Sequence, residues 1–130
     1  IIITYKGTLS PSNMRDTYTK YDCLISPTEF ENYGQAIVEA MLHDVPVIIS
    51  KGTTPWDMID KRKAGFTVEK NDIGAYTKAI DLMTDMNSEE YKGIIMKLRS
   101  FCSEKFDYEG LKTNYKEKFN YIVNDFRKEI

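Results

Sequence analysis

Two glutamates with a glycine between them are the residues of this sequence best suited to bind a polar ligand. The stretch "ENYGQAIVEAML" begins at Glu31, contains Gly34 and places Glu39 among apolar neighbours. Burying an ionised carboxylate without partners costs several kcal/mol, so Glu39 needs groups that donate hydrogen bonds to it. A glycine has no Cβ and lets a ligand approach the backbone closely. These residues predict a site for a ligand rich in hydroxyl groups.

The segment around Glu39 has the pattern of a helix with a narrow polar side. At about 3.6 residues per turn, Gln35, Glu39 and His43 fall on one ridge, and apolar residues occupy the rest of the circumference. Such a helix is predicted to be largely buried. The spacing alone leaves two interpretations, in which the ridge faces either water or a ligand.

Short apolar runs alternate with helical patterns along the first half of the chain. The predicted strands are 1–5, 22–26, 46–50 and 66–69, with helices between them. This order is typical of βαβ units around a parallel sheet, and continuous apolar runs favour strands covered on both faces. From residue 72 onward the pattern is helical alone, with Asn87 and Glu90 spaced as a capping box. The predicted fold is a single α/β domain over 1–130, with helices on both faces of a parallel sheet and a helical C-terminus.

This topology places Glu31, Tyr33 and Gly34 at the carboxyl end of a strand and at the amino end of the next helix. Ligands of open α/β sheets bind at that edge. The first turn of a helix offers unpaired N–H groups and a partial positive charge to phosphate or hydroxyl oxygens. The position therefore favours a ligand beside the ridge.

Composition excludes several other classes of function. A formal net charge of −2 without a basic stripe argues against a nucleic-acid partner. Cys23 and Cys102 show neither metal-ligand spacing nor a disulfide framework, which predicts reduced thiols inside a cell. No apolar run approaches the roughly 18 residues of a membrane span. The opening "IIITY" lacks an initiator Met and is expected to enter a strand directly, as part of a longer protein.

Four other residues invite a chemical role. His43, the sole histidine, is predicted to be a partner of the helix C-terminus or a surface residue rather than a catalyst. Trp56 follows a proline and is predicted to be a packing residue rather than a platform for a ligand. Asp57 and Asp60 have no further metal ligands at suitable spacing, so no metal site is expected.

The run "SPTEFENYGQAIVEAMLHDVPVIIS" strongly resembles the donor-binding segment of the GT-B glycosyltransferases, in particular the retaining glycosyltransferase family 4, also called group 1. The matching positions are Glu31, Tyr33-Gly34, Glu39-Ala40 and Pro46-Val47-Ile48. Looser similarity extends over residues 1 to 70. One departure is Asp44, where the family usually has glycine; a left-handed backbone is often needed there, and Asp tolerates it better than most residues.

The resemblance implies roles for the residues of the motif. Glu31 would contact the transferred sugar near its anomeric carbon, and Glu39 would bind the ribose hydroxyls of the nucleotide. The sugar hydroxyls and the neighbouring phosphate would be held by the backbone amides of Tyr33, Gly34, Gln35 and Ala36.

The resemblance also implies two flanking loops. The loop containing Lys6, Gly7 and Leu9 would meet the nucleobase, and Thr53 and Thr54 would border the site from the next strand. No cofactor and no metal would be needed, because the nucleotide-diphosphate sugar is itself the donor substrate.

By this resemblance the chain is the Rossmann-like, carboxy-terminal nucleotide-sugar-binding part of a retaining hexosyltransferase for polysaccharide or glycolipid synthesis. The N-terminal acceptor domain and the first part of the C-terminal domain, with its basic anchors for the diphosphate, would be absent, so the chain alone would be inactive. An acceptor glycan or lipid, and any membrane contact, would involve the missing domain. The expected location is cytoplasmic, or peripheral at the inner face of the membrane.

Two alternatives stay open at this point. One is a non-catalytic, doubly wound interaction module in which the same helix forms an interface with a partner. The other keeps the GT-B fold with different chemistry, as a nucleotide-sugar epimerase or a phosphorylase.

Overall fold

A computed structural model gives the fold and describes residues 2, 4–8, 10 and 13–126. Helices and strands alternate over the first half of the chain, and helices alone follow. The elements are α1 (Met14–Tyr18), β1 (Leu24–Ser26), α2 (Gln35–Leu42), β2 (Val47–Ser50), α3 (Met58–Lys61), β3 (Phe66–Val68), α4 (Ile73–Thr84), α5 (Ser88–Lys105) and α6 (Tyr108–Phe126). The predicted α/β class and helical C-terminus are confirmed.

The three strands form a parallel sheet in the order β1-β2-β3. The central strand β2 is buried along its whole length because helices cover both of its faces. Val47 and Ile49 belong to the larger core cluster with residues of α2 and α5, whereas Ile48 packs with residues of α4. The predicted strands at 22–26, 46–50 and 66–69 are confirmed, with slightly shorter bounds, as is the cover of helices on both faces.

The predicted first strand does not form among the described residues at the amino end. Residues 2 and 4–8 have no strand conformation, and Ile2 and Tyr5 are 95% and 93% exposed. Ile1 and Ile3 lie outside the described residues. The strand prediction is therefore wrong for the part of 1–5 that the structure describes. β-Branched residues favour a strand only where a neighbouring strand and an apolar face are there to pack against, and residues 2 and 4–8 are exposed and pair with no strand.

The turn after α2 depends on a left-handed residue, as the sequence predicts. Asp44 has φ 63°, and Val45 N–H then donates to the carbonyl of Ala40 at 2.9 Å. The Asp44 carboxylate accepts two hydrogen bonds of 2.8 Å from the guanidinium of Arg99 in α5. These hydrogen bonds lower the pKa of Asp44. Asp44 thus ties α5 to the end of α2, a contact that glycine could not make.

The two long helices after the sheet begin with side-chain caps. Asn87 and Glu90 form the predicted capping box at the start of α5, and Asp72 caps α4 through Ala75 N–H. Leu98 and Phe101 of α5 are buried against α2. Within the described residues, no helix is long and apolar enough to cross a membrane.

Two glycines provide a matched test of this packing. A Cβ on Gly65 would lie 2.7 Å from the carbonyl oxygen of Val47 and 3.0 Å from Ile59, whereas a Cβ on Gly93 would meet nothing within 4 Å. Gly65→Ala should lower the free energy of unfolding by about 1–3 kcal/mol, because the central strand would have to shift. Gly93→Ala, inside α5, should raise it by about 0.5–1 kcal/mol. Urea denaturation followed by circular dichroism measures both, and equal effects would contradict the packing described for Gly65.

Candidate functional site

The loop from β1 to α2 is attached to the neighbouring loop by two hydrogen bonds. Glu31 N–H donates to the carbonyl of Thr53 at 2.8 Å. The indole Nε1–H of Trp56 donates to the carbonyl of Tyr33 at 2.6 Å. The Thr53 carbonyl and the Trp56 indole both belong to the loop after β2. The two bonds therefore join the carboxyl ends of two adjacent parallel strands at the predicted site. These bonds fix the backbone at Glu31 and at Tyr33, within the loop that leads to Gly34.

Trp56 is buried, with 8% of its surface exposed. Its ring meets Tyr33 edge-on at 5.2 Å between centroids and lies 5.3 Å from Phe106. The predicted packing role is confirmed. Its bond to the Tyr33 backbone, which shapes the site loop, was not predicted, because residues 33 and 56 are brought together only by the parallel pairing of β1 and β2.

Gly34 creates the turn into α2. It has φ 72° and ψ 60°, a left-handed conformation that side chains with a Cβ rarely adopt. A Cβ would also lie 2.9 Å from Cδ1 of Ile37. Glycine is therefore required by the backbone itself, in addition to any ligand that approaches it.

The amino end of α2 differs from those of α4 and α5. No side chain caps α2 among the described residues, and its first turn contains no acidic residue. The N–H groups of the first turn and the helix dipole give this end a partial positive charge. This charge lies at the carboxyl edge of the sheet, directly after Gly34. The backbone amides predicted to hold an anion, those of Tyr33, Gly34, Gln35 and Ala36, belong to this turn.

The Glu39 carboxylate is half-buried and has two partners inside the chain. Oε1 accepts from the Gln35 side-chain amide at 3.0 Å, and Oε2 lies 3.4 Å from the hydroxyl of Tyr18. The predicted polar ridge therefore forms, and side chains of the protein itself supply part of the hydrogen bonding to the Glu39 carboxylate. Burial and, after it, the Glu39 charge raise the pKa of Tyr18. Tyr18 was not predicted as a site residue, because α1 reaches α2 only in the folded chain.

His43 closes the ridge at the other end of α2. Its Nδ1 donates to the backbone carbonyl of Glu39 at 2.7 Å. Its ring stacks on Tyr18 with centroids 5.4 Å apart and planes at 22°. The prediction of a helix C-terminal partner is confirmed.

The two threonines after β2 lie next to the site loop. Thr53 is buried, its hydroxyl donates to the carbonyl of Ser50 at 2.8 Å, and its own carbonyl accepts from Glu31. Thr54 Oγ1 accepts from Trp56 N–H at 3.1 Å. Both hydroxyl groups thus stabilise their own loop. Their predicted contact with a ligand stays a prediction.

The predicted nucleobase loop is described in part. Leu9 lies outside the described residues, Lys6 is exposed, and Gly7 has φ 68°. Gly7 and Tyr18 line one groove of about 560 Å³ beside β1. Because Tyr18 also contacts Glu39, the structure connects this groove to the polar ridge of α2.

Metal ligands do not cluster in the part of the chain that the structure describes. No group of three or more His, Cys, Asp or Glu side chains there could hold a metal ion. One oxygen of Asp57 accepts from Gly52 N–H at 2.8 Å. The arrangement offers the Glu39 carboxylate to hydroxyl groups and the amino end of a helix to an anion.

The bond from Trp56 to Tyr33 predicts a local effect of substitution. Trp56→Phe removes the donor and leaves space beside Phe106, so it should lower the free energy of unfolding by about 1–3 kcal/mol. Amide hydrogen exchange of Glu31 should accelerate more than that of the amides in α4. The control Phe106→Leu trims the same cluster but keeps the indole bond. Equal acceleration at Glu31 in both variants would contradict this role of Trp56.

The chain matches the family model of "Glycosyl transferases group 1" over residues 3–100. It is 27% identical to the sulfoquinovosyl transferase SQD2 of Arabidopsis thaliana, over 96% of the chain and 25% of the relative. It is 32% identical to the capsular polysaccharide biosynthesis glycosyltransferase CapM of Staphylococcus aureus, over 58% of the chain and 20% of the relative. It is also 32% identical to a GDP-mannose-dependent alpha-mannosyltransferase of Corynebacterium glutamicum, over 53% of the chain and 17% of the relative.

The chain spans a quarter or less of the length of these curated relatives. The family match covers β1, α2 and β2 with both of their loops, which is the part that carries Glu31, Gly34 and Glu39. By its matching residues and its fold, the chain belongs to the group 1 glycosyl transferases.

Proposed function

We propose that the chain is the nucleotide-sugar-binding part of a retaining GT-B glycosyltransferase of family 4. The whole protein would transfer a sugar from a nucleotide-diphosphate donor to an acceptor hydroxyl. The observation that carries this proposal is the uncapped, left-handed turn at Gly34, at the carboxyl edge of a parallel sheet, with Glu31 before it and Glu39 after it. A phosphate suits the amino end of α2, and sugar hydroxyls suit the carboxylates.

The geometry supports an electrostatic mechanism. As the bond from sugar to phosphate breaks, negative charge accumulates on the departing phosphate and positive character on the sugar ring. The amino end of α2 would stabilise the first, and Glu31 the second. The bond from Glu31 N–H to Thr53 keeps the backbone below this carboxylate in place. Such fixed groups need little reorganisation during the reaction.

Glu39 would bind the ribose hydroxyls of the donor. Its carboxylate lies along α2 from Gly34, on the ridge that also meets Tyr18. The groove lined by Gly7 and Tyr18 would take the nucleobase. In this arrangement the nucleotide runs from the groove across the ridge to the amino end of α2, where its diphosphate meets the first-turn amides.

The names of the relatives support a nucleotide-activated donor and polysaccharide synthesis. One relative is named for its dependence on GDP-mannose and another for capsular polysaccharide biosynthesis. The proposal includes an acceptor glycan or lipid bound by a further domain, no metal and no other cofactor. It also includes a cytoplasmic location, with peripheral contact at the inner face of a membrane.

The alternative of a partner interface on α2 is disfavoured by burial. Ile37, Val38, Ala40 and Met41 of α2 are buried in the core of this chain, and only Leu42 offers a large exposed apolar side chain from that helix. A partner would therefore meet the polar ridge rather than an apolar face. An epimerase or phosphorylase would use the same site, and an assay of sugar transfer separates it from a transferase.

Glu39 can be tested by binding alone. Glu39→Gln keeps the shape and one acceptor for Tyr18 or Gln35, but it loses the charge, so the affinity for a nucleoside diphosphate should fall about tenfold. Titration calorimetry with uridine and guanosine diphosphates measures the loss. Glu89→Gln, on the exposed first turn of α5, is the control and should bind as the wild type does. An unchanged affinity in Glu39→Gln would remove the ribose assignment.

Glu31 can be tested in the intact protein that contains this chain. Glu31→Ala should lower turnover by about 100-fold or more, because it removes a charge next to the reacting carbon. The free energy of unfolding should change by no more than about 0.5 kcal/mol, as for other partly exposed side chains. Glu29→Ala, two residues earlier, is the matched control and should retain turnover. Comparable losses of stability and turnover in Glu31→Ala would make Glu31 a structural residue.

A further inference from the structure

We propose that Tyr18 is a positioning residue for the Glu39 carboxylate and thereby for the ribose of the donor; this inference rests on the proposed function. Tyr18 is the last residue of α1, outside the motif that contains Glu39. Its hydroxyl oxygen lies 3.4 Å from Oε2 of Glu39 and 3.3 Å from the carbonyl oxygen of Ala36. A donor from a separate element thus reaches both the side chain and the first turn of the site helix.

The Tyr18 ring is itself well supported. It stacks on His43 and packs against the larger core cluster. His43 is in turn bound to the backbone of Glu39. A tyrosine has only two side-chain torsions, so a ring packed in this way presents its hydroxyl group at little further cost in entropy. The other donor, Gln35, is exposed and has three side-chain torsions, so its side chain is more flexible.

The two donors leave part of the Glu39 carboxylate free. Oε1 accepts from Gln35, and Oε2 shares the single Tyr18 hydroxyl proton with the Ala36 carbonyl. A carboxylate offers about four acceptor positions in all, so about two remain. The two adjacent hydroxyl groups of a ribose could occupy them. Because folding already sets the orientation of the carboxylate, binding would cost little further side-chain entropy at Glu39, which favours affinity.

The protonation state of Tyr18 suits this role. Burial and the nearby Glu39 charge raise the pKa of the phenol above its ordinary value near 10. At neutral pH the hydroxyl group is therefore protonated and available as a donor. The contacts to the Glu39 carboxylate come from the Gln35 amide and the Tyr18 hydroxyl group, so neither partner brings a counter-charge to it.

The test compares ribose with deoxyribose in the intact protein. Calorimetry would give the affinities of the wild type and of Tyr18→Phe for uridine and guanosine diphosphates and for their 2′-deoxy counterparts. The wild type should prefer the ribonucleotide. Tyr18→Phe should weaken binding of the ribonucleotide by roughly three- to tenfold, the range expected for one hydrogen bond. Binding of the deoxynucleotide, which keeps only one of the two hydroxyl groups, should weaken by less, so the preference should fall. A general loss of packing would weaken both nucleotides equally.

Tyr91→Phe is the matched control. Tyr91 also donates its hydroxyl group to a backbone carbonyl, that of Asp22 at 3.0 Å, and has no hydrogen bond to α2. The Tyr91→Phe variant should keep the full preference for the ribonucleotide. Melting curves of both variants check that each remains folded. If Tyr18→Phe unfolds, wild-type protein with labelled tyrosine ring carbons decides: the Tyr18 resonance should shift with the ribonucleotide more than with the deoxynucleotide.

The possible failures are distinguishable. If the wild type binds the ribonucleotide and the deoxynucleotide equally, the ribose assignment of Glu39 is overturned, and this inference with it. A wild type with a clear preference that Tyr18→Phe fully retains would overturn the inference alone. Weakening of both nucleotides to the same extent by Tyr18→Phe would also overturn the inference alone.

Discussion

The site depends on the attachment of one loop to its neighbour across the carboxyl edge of the sheet. Parallel pairing of β1 with β2 brings the loops after both strands together, and the bonds from Glu31 to Thr53 and from Trp56 to Tyr33 then join them. A parallel sheet has this property because its carboxyl ends all meet at one edge. Without the second loop, the left-handed turn at Gly34 would have no fixed position relative to the strand before it.

The burial of α2 fixes the position of Glu39, as the two joined loops fix the backbone of Glu31. Its apolar face lies in the larger core cluster, so the helix can neither rotate nor slide without opening that core. Asp44 ends the helix with a left-handed residue and binds Arg99 of α5. The helix is therefore fixed at both ends and along one face. These apolar and ionic contacts determine the position of the polar ridge and of Glu39 within it.

Much of this arrangement could be predicted from the sequence, because it is encoded locally. The strand positions, the buried helix and the capping box at Asn87 follow from short-range patterns, and the left-handed backbone at Asp44 was expected from the glycine that the family usually has there. The strand expected at 1–5 was wrong for its described residues, since strand propensity cannot show whether a partner strand is adjacent. The site contacts of Tyr18 and Trp56 were missed for a related reason. These contacts, with Glu39 and Tyr33, join distant parts of the chain, and no local pattern reports them.

The pairing of nearby lysines with carboxylates makes the amino end of α2 more important for binding a phosphate. Lys51 follows β2 and Lys70 follows β3, both close to the edge where a phosphate would lie. Lys51 is paired with Glu69 at 2.6 Å, and Lys70 lies 3.7 Å from Glu29 of the site loop. The partnership with Glu69 also raises the pKa of Lys51.

A paired lysine presents less positive charge to an incoming phosphate than a free one, because its carboxylate partner offsets much of its field. Within the described residues, the contribution of α2 is of a different kind. It comes from backbone N–H groups that are fixed by the fold and carry no counter-charge in the first turn. Among the described residues, the backbone after Gly34 would therefore contribute most to orienting a donor diphosphate at this edge, which makes the conformation of that single residue important for the proposed chemistry.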